Sequence, residues 1–123
     1  MATLANRVYD SGLTVLDTEA NRVDICSSEP TTYTAATSTN TLGNETSISI
    51  SAPTDGDTSG RKVTLSAITS GTVTGTGTAT HYAITDTGNS RLLVTGSLSS
   101  SQSVTSGNTF SLTAVDIEIP DPA

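Results

Sequence analysis

Ala79-Thr-His-Tyr-Ala-Ile-Thr85, then Asp86-Thr-Gly-Asn89, then Arg91-Leu-Leu-Val-Thr-Gly96 is the stretch whose reading decides the fold. Along the first run Ala79, His81 and Ala83 fall on one side while Thr80, Tyr82 and Ile84 fall on the other, the period of two that a pleated strand imposes. Asp, Gly and Asn then supply the turn, and the second run returns as another strand. The pair predicts an antiparallel hairpin.

Working outward, the same pattern repeats. Toward the carboxyl end, Leu98 opens a Ser-rich turn and Ser106-Gly-Asn108 is another. Phe110, Leu112 and Ala114 then alternate, and Val115, Ile117 and Ile119 follow in a shifted phase. Toward the amino end, Val63, Leu65 and Ala67 form a strand broken at Gly71, and the Thr-Gly run 72–78 reads as a twisted edge or bulged bend. Ile48 and Ile50 alternate with serines, and Val23 and Ile25 alternate with Asp24 and Cys26. Residues 30–43 carry little periodicity and read as a long surface loop. Only residues 3–20 have helical character: Leu4, Val8, Leu13, Leu16 and Ala20 recur at three-to-four spacing behind Thr3 as N-cap. The fold expected is mainly β, an antiparallel β-sandwich or barrel with a short N-terminal helix. It is one domain over 1–123: a helix or docking arm at 1–20, a β-sandwich at 22–119 and a tail at 120–123.

Composition narrows the function. Ser and Thr supply 43 of the 123 residues, with no Trp and one Phe, so the core must come from Val, Ile, Leu and Ala. Five basic residues (Arg7, Arg22, Arg61, Lys62 and Arg91) face twelve acidic ones, for a net charge of −7. Phosphate neutralisation takes clustered Lys and Arg, so nucleic acid and anionic membrane are both disfavoured partners. No apolar run is long enough for a transmembrane helix, and the amino terminus has none of signal-peptide length. The single Cys26 can form no internal disulfide, which suits synthesis in a reducing cytoplasm.

No catalytic constellation stands out, and an enzyme is not expected. His81 is the one histidine and sits mid-strand, where a hydrogen-bonding role is the default; Ser90 and Asp86 lie near it by the abundance of serine. Cys26 has no Lys or His beside it to lower its pKa and reads as an inert thiol. Pro53-Thr-Asp-Gly-Asp-Thr-Ser-Gly60 is a turn whose Asp55 and Asp57 offer oxygens to a cation, but it has no Glu to complete a calcium loop. Asn44-Glu-Thr46 matches a glycosylation sequon by chance, and glycines 71, 75 and 77 precede no helix that would make a phosphate loop. A glycan site would need exposed aromatics, for which only Tyr9, Tyr33, Tyr82 and Phe110 are available. Catalytic, cofactor-binding and metal-binding residues are therefore expected to be none.

Leu4-Ala-Asn-Arg-Val-Tyr-Asp10, Asp24-Ile-Cys-Ser27, Glu29-Pro-Thr-Thr-Tyr33, Gly77-Thr-Ala-Thr-His-Tyr-Ala-Ile84, Arg91-Leu-Leu93, Ser106-Gly-Asn-Thr-Phe-Ser-Leu112 and Ile119-Pro120 resemble segments of small structural proteins of tailed bacteriophages. The resemblance spans nearly the whole chain. It implies a virion component, and among these a capsid cement or decoration protein on the outer surface of the head. The partner implied is the major capsid protein, bound by a homo-oligomer, with a trimer favoured. The docking element would be 1–20 or the loop 30–45. Two other roles stand beside it: a tail or fibre-associated structural protein, and a glycan-binding β-sandwich.

Overall fold

The computed structural model describes residues 4–121. The protein is mainly β with one N-terminal helix, and every strand pairing is antiparallel. Thr3, expected to cap the helix, lies outside the described residues, as do the last two residues of the expected tail. The chain groups into two compact units, both discontinuous in sequence. Residues 4–19, 49–67 and 113–121 make a helix unit, and residues 20–48 and 68–112 make a sheet unit.

The sheet unit holds six strands: β1 (Arg22–Cys26), β2 (Thr41–Glu45), β5 (Ile68–Val73), β6 (Gly77–Asp86), β7 (Arg91–Val104) and β8 (Thr109–Leu112), while β3 (Thr54–Asp55), β4 (Arg61–Leu65) and β9 (Val115–Ile119) belong to the helix unit. Their order is β7-β6-β1-β2-β5-β8. Opposed residues share a face, so the register sorts the side chains. Val23 pairs with Ile84, Ile25 with Tyr82 and Gly43, and Gly43 with Val73, which puts these on the side of Phe110 and Leu112. That side is the core: Val23, Ile25, Val73, Ile84, Phe110 and Leu112 are all buried. The sheet curls into a half-barrel, and one side-chain bond links its edge strands, Gln102 Nε2 on β7 donating to the Ser111 carbonyl on β8 at 2.9 Å.

Two of the four aromatic rings are seated on glycines. Phe110 lies opposite Gly71, where a Cβ would collide with its ring, and Tyr82 lies opposite Gly96, where a Cβ would fall 2.5 Å from the phenol oxygen. Gly71 therefore does not break its strand: β5 runs through it to Val73. In place of the Ser-rich turn expected from Leu98, β7 continues to Val104; its register on β6 shifts between Ser97 and Gln102, and Gln102–Val104 pair with Gly77–Ala79.

On the opposite face of the sheet, residues 27–40 fold back over β1. Ser27 N–H donates to the Asn40 carbonyl at 3.0 Å, and a π-helical turn at Ala35–Thr39 sets Ala36 on Cys26 and Ala83, with Leu92 alongside. The expected loop is thus a cover with its own small core.

In the helix unit, β3 (Thr54–Asp55), β4 (Arg61–Leu65) and β9 (Val115–Ile119) form a sheet in the order β3-β4-β9. Ile50 joins it only by an isolated bridge to Leu65, so the strand expected at 48–50 does not form. Helix α1 (Asn6–Glu19) buries Tyr9, Leu13 and Leu16, while Val63 and Leu65 are fully buried on β4. Ile119 comes within 3.7 Å of where a Gly12 Cβ would be. Two polar ties fix α1: Tyr9 donates to Asp121 Oδ1 at 2.6 Å, and Arg61 Nε donates to Asp10 Oδ1 at 2.9 Å. The buried line keeps Leu13 and Leu16 of the expected spacing but takes Tyr9 in place of Val8, and Leu4 is exposed.

Candidate functional site

The polar groups singled out by sequence sit in satisfied local arrangements. Thr80 Oγ1 donates to the Ser27 carbonyl at 2.9 Å, so its proton is spent, and its oxygen accepts from His81 Nδ1 at 2.9 Å. Nε2 is then the acceptor, with Ser97 Oγ at 3.4 Å. Glu29 Oε2 lies 4.0 Å from the same Nε2. A nucleophile–base–acid relay needs the acid behind the base, on the other nitrogen. Here serine and carboxylate compete for one nitrogen and a threonine holds the other.

Asp86 and Ser90 belong to the hairpin turn instead. Asp86 accepts from Gly88 N–H at 3.1 Å and Asn89 Nδ2 at 2.8 Å, and Ser90 takes a positive φ of 53°. Cys26 is fully buried, and its thiol is pushed up to about 12, by burial first and by the nearby Asp24 charge second. Asn44 of the sequon match is paired with Asp24 on one side and Thr72 on the other, inside the sheet. Of the four aromatics, Tyr9 and Phe110 are buried.

Asp24 is the residue whose role sequence reading missed. Alternation with Val23 and Ile25 marked it as solvent-facing, yet it is fully buried. Arg22, two residues away on the same face, binds it through Nε at 2.7 Å and Nη2 at 2.8 Å, and Thr41 Oγ1 donates at 2.6 Å. The spacing Arg-x-Asp was the available signal, since residues i and i+2 share a strand face.

Asp55 and Asp57 do not act together. Asp55 accepts from Arg61 Nη1 at 2.7 Å, whereas Asp57 accepts from Lys62 Nζ at 2.6 Å. The carboxylates gathered near Asp57 are Asp116 and Glu118 of β9, with oxygens within 4.8 Å of one another. Lys62 also reaches Asp116 at 3.1 Å, and Thr64 Oγ1 donates to Asp116 at 2.8 Å; these two bonds hold the Asp116 carboxyl below its ordinary range. The ammonium of Lys62 thus supplies the positive charge that a cation would bring.

Against this internal satisfaction stands one outward apolar line. Leu4, Val8 and Val15 are the exposed large hydrophobic residues among those described, at 43%, 56% and 39%. They lie on α1 and just ahead of it, away from its buried line. Beside them Arg7, Asp10, Ser11 and Thr14 border an open concavity of about 580 Å³. A second concavity, about 360 Å³, runs between Glu29-Pro30-Thr31 and Leu92–Thr95 of β7. No protein-family model, no curated protein and no solved structure matches this chain.

Proposed function

We propose that the protein is a non-enzymatic virion structural protein, a capsid cement that sits on the outer surface of a phage head and bridges capsid subunits. The observation that carries this reading is α1, held to its own unit by a buried face and two polar ties while it offers a second apolar line to the outside. A helix so anchored is already folded when it meets a partner, so contact does not require ordering it first. Three part-exposed side chains contribute about 2–4 kcal/mol when covered. That is a weak single contact, made firm only when many copies attach at once to a repeating surface. The net charge of −7 favours the outside of a DNA-filled shell over its lumen.

The test is copy number. Heads of the phage that encodes this chain, prepared without it, are incubated with the purified protein and washed. On the order of hundreds of copies retained per head is the expected result for a repeating lattice. Retention of about three to twelve copies would move the protein to a tail axis. None retained would overturn the cement reading.

A further inference from the structure

Four strands end the two sheets, and three of them are protected in the usual ways. β3 is two residues long and β8 four, while β9 carries Asp116 and Glu118. Short edges and charged edges resist the addition of a further strand. β7 is the exception. It has 14 residues, none of them charged after Arg91, and among the described residues it pairs only with β6. Its far half is linked to β8 through Gln102, so the open part is the near half, Leu92 to Ser97. No backbone bond runs from these residues to a described residue outside β6. From Val94 to Ser97 the register on β6 is regular, so every second residue turns both its N–H and its C=O away from β6.

A groove lies along this edge. The concavity of about 360 Å³ is walled by Glu29, Pro30 and Thr31 on one side and by Leu92 to Thr95 on the other. Leu92 opposes Thr85 and Val94 opposes Ile84, so Leu93 is the extra residue of a bulge, and three successive apolar residues reach the groove. Its lining holds no aromatic ring on which a sugar would stack and no cation for a phosphate. Its one charge is Glu29, 58% exposed, whose His81 Nε2 neighbour stands at 4.0 Å, beyond hydrogen-bond length. Arg91 opposes Asp86, which shares a face with Ile84, so it lies on the sheet face away from the 27–40 cover.

We propose that the free edge of β7 receives an extended segment of a partner protein as an added strand, with a Lys or Arg of that segment set against Glu29. The main-chain groups of the edge select an extended polypeptide, and Glu29 selects its charge. A second copy of this chain is the poorer occupant, because its own β7 has no basic residue from Leu92 to Val104 to offer Glu29. The proposal goes beyond the cement reading, whose contact is α1, and either can fail alone.

Defined peptides test this on the full chain, without any head, by amide chemical shifts of the isotope-labelled protein. The probe is an end-capped peptide of alternating Thr and Val with Lys in place of the central Val. At about 1 mM, the range expected of a few main-chain pairs, it should shift the amides of Leu92 to Ser97 together with Glu29 and Thr31. Its fully N-methylated form keeps every side chain but has no main-chain donor, and should leave those amides unmoved. Exchanging its Lys for Glu should weaken binding about threefold or more, and Glu29→Lys should reverse that preference. If Glu29→Lys loses the native spectrum, the two peptides on the wild-type protein decide. Absence of shifts at β7, equal binding of the N-methylated form, or equal binding of the Lys and Glu peptides to the wild type would each overturn the proposal. Shifts of the same amides on concentrating the protein alone would assign the edge to a second copy and overturn it as well.

Discussion

Cys26 is buried beneath Ala36 with a thiol pushed up to about 12. In the unfolded chain the same thiol ionises near 9.0. The folded state therefore holds its proton longer, and the sign follows: the contribution is fully present below pH 9 and is lost as pH rises toward 12. Alkaline unfolding by urea should show stability falling across that window, and Cys26→Ala should flatten the fall, with the raised Tyr9 and Tyr82 phenols left as background. Labelling by iodoacetamide should be slow in the native protein and fast in denaturing urea. Rapid native labelling would show that the 27–40 cover opens. The inertness of this thiol was legible from its neighbours in sequence; the burial of Asp24 was not. Strand alternation assigns faces but cannot say that Arg22 and Thr41 will close over the carboxylate on the outer one.

Helix α1 carries two apolar lines, and their roles separate by substitution. Leu13→Ala removes a buried side chain and should cost about 2–5 kcal/mol in urea unfolding, whereas Val8→Ala on the exposed line should change stability by about 0.5 kcal/mol or less. Equal losses would mean that the outward line is also internally packed. Removing residues 1–20 cannot make this distinction, since it takes away Tyr9, Leu13 and Leu16 together with the exposed line. The helix was legible in the sequence, with Leu13 and Leu16 on its buried side, but Tyr9 was not, because two lines of apolar residues on one helix both fit a three-to-four spacing and Leu4 and Val8 were drawn into the wrong one. The hairpin of β6 and β7 and the strand Val115–Ile119 were plain from alternation and turn residues. The stretch Leu98–Val104 was not, because its Gln102–Val104 end is strand through pairing with Gly77–Ala79 of β6, beyond a register irregularity, and not through any apolar rhythm.

Over the whole molecule, charge sets the conditions for assembly. Arg22, Arg61 and Lys62 are engaged by acids of the same chain, so little basic surface remains to offset the net charge of −7. Two copies at contact repel by a few kcal/mol when unscreened, more than the few tenths that favourable charge pairs on an exposed helix supply. Raising salt from about 0.01 M to about 0.15 M shortens the screening length from about 30 Å to about 8 Å. Self-association in sedimentation velocity should therefore strengthen over that range. Weakening would show that opposite charges hold the copies together.

The interleaving of the two units also sets an order of events on the ribosome. The strands of the sheet unit are all in hand once Leu112 has emerged, but β4 waits for β9 before its small sheet is whole. Tyr9 meets its acceptor only across 112 residues of chain. The earliest helix to be synthesised is thus among the last to be fully housed: β4 is available to it from residue 65, but Ile119 and Asp121 complete its seat only at the end. A nascent chain paused before residue 115 should be the form most readily captured by a chaperone, at α1.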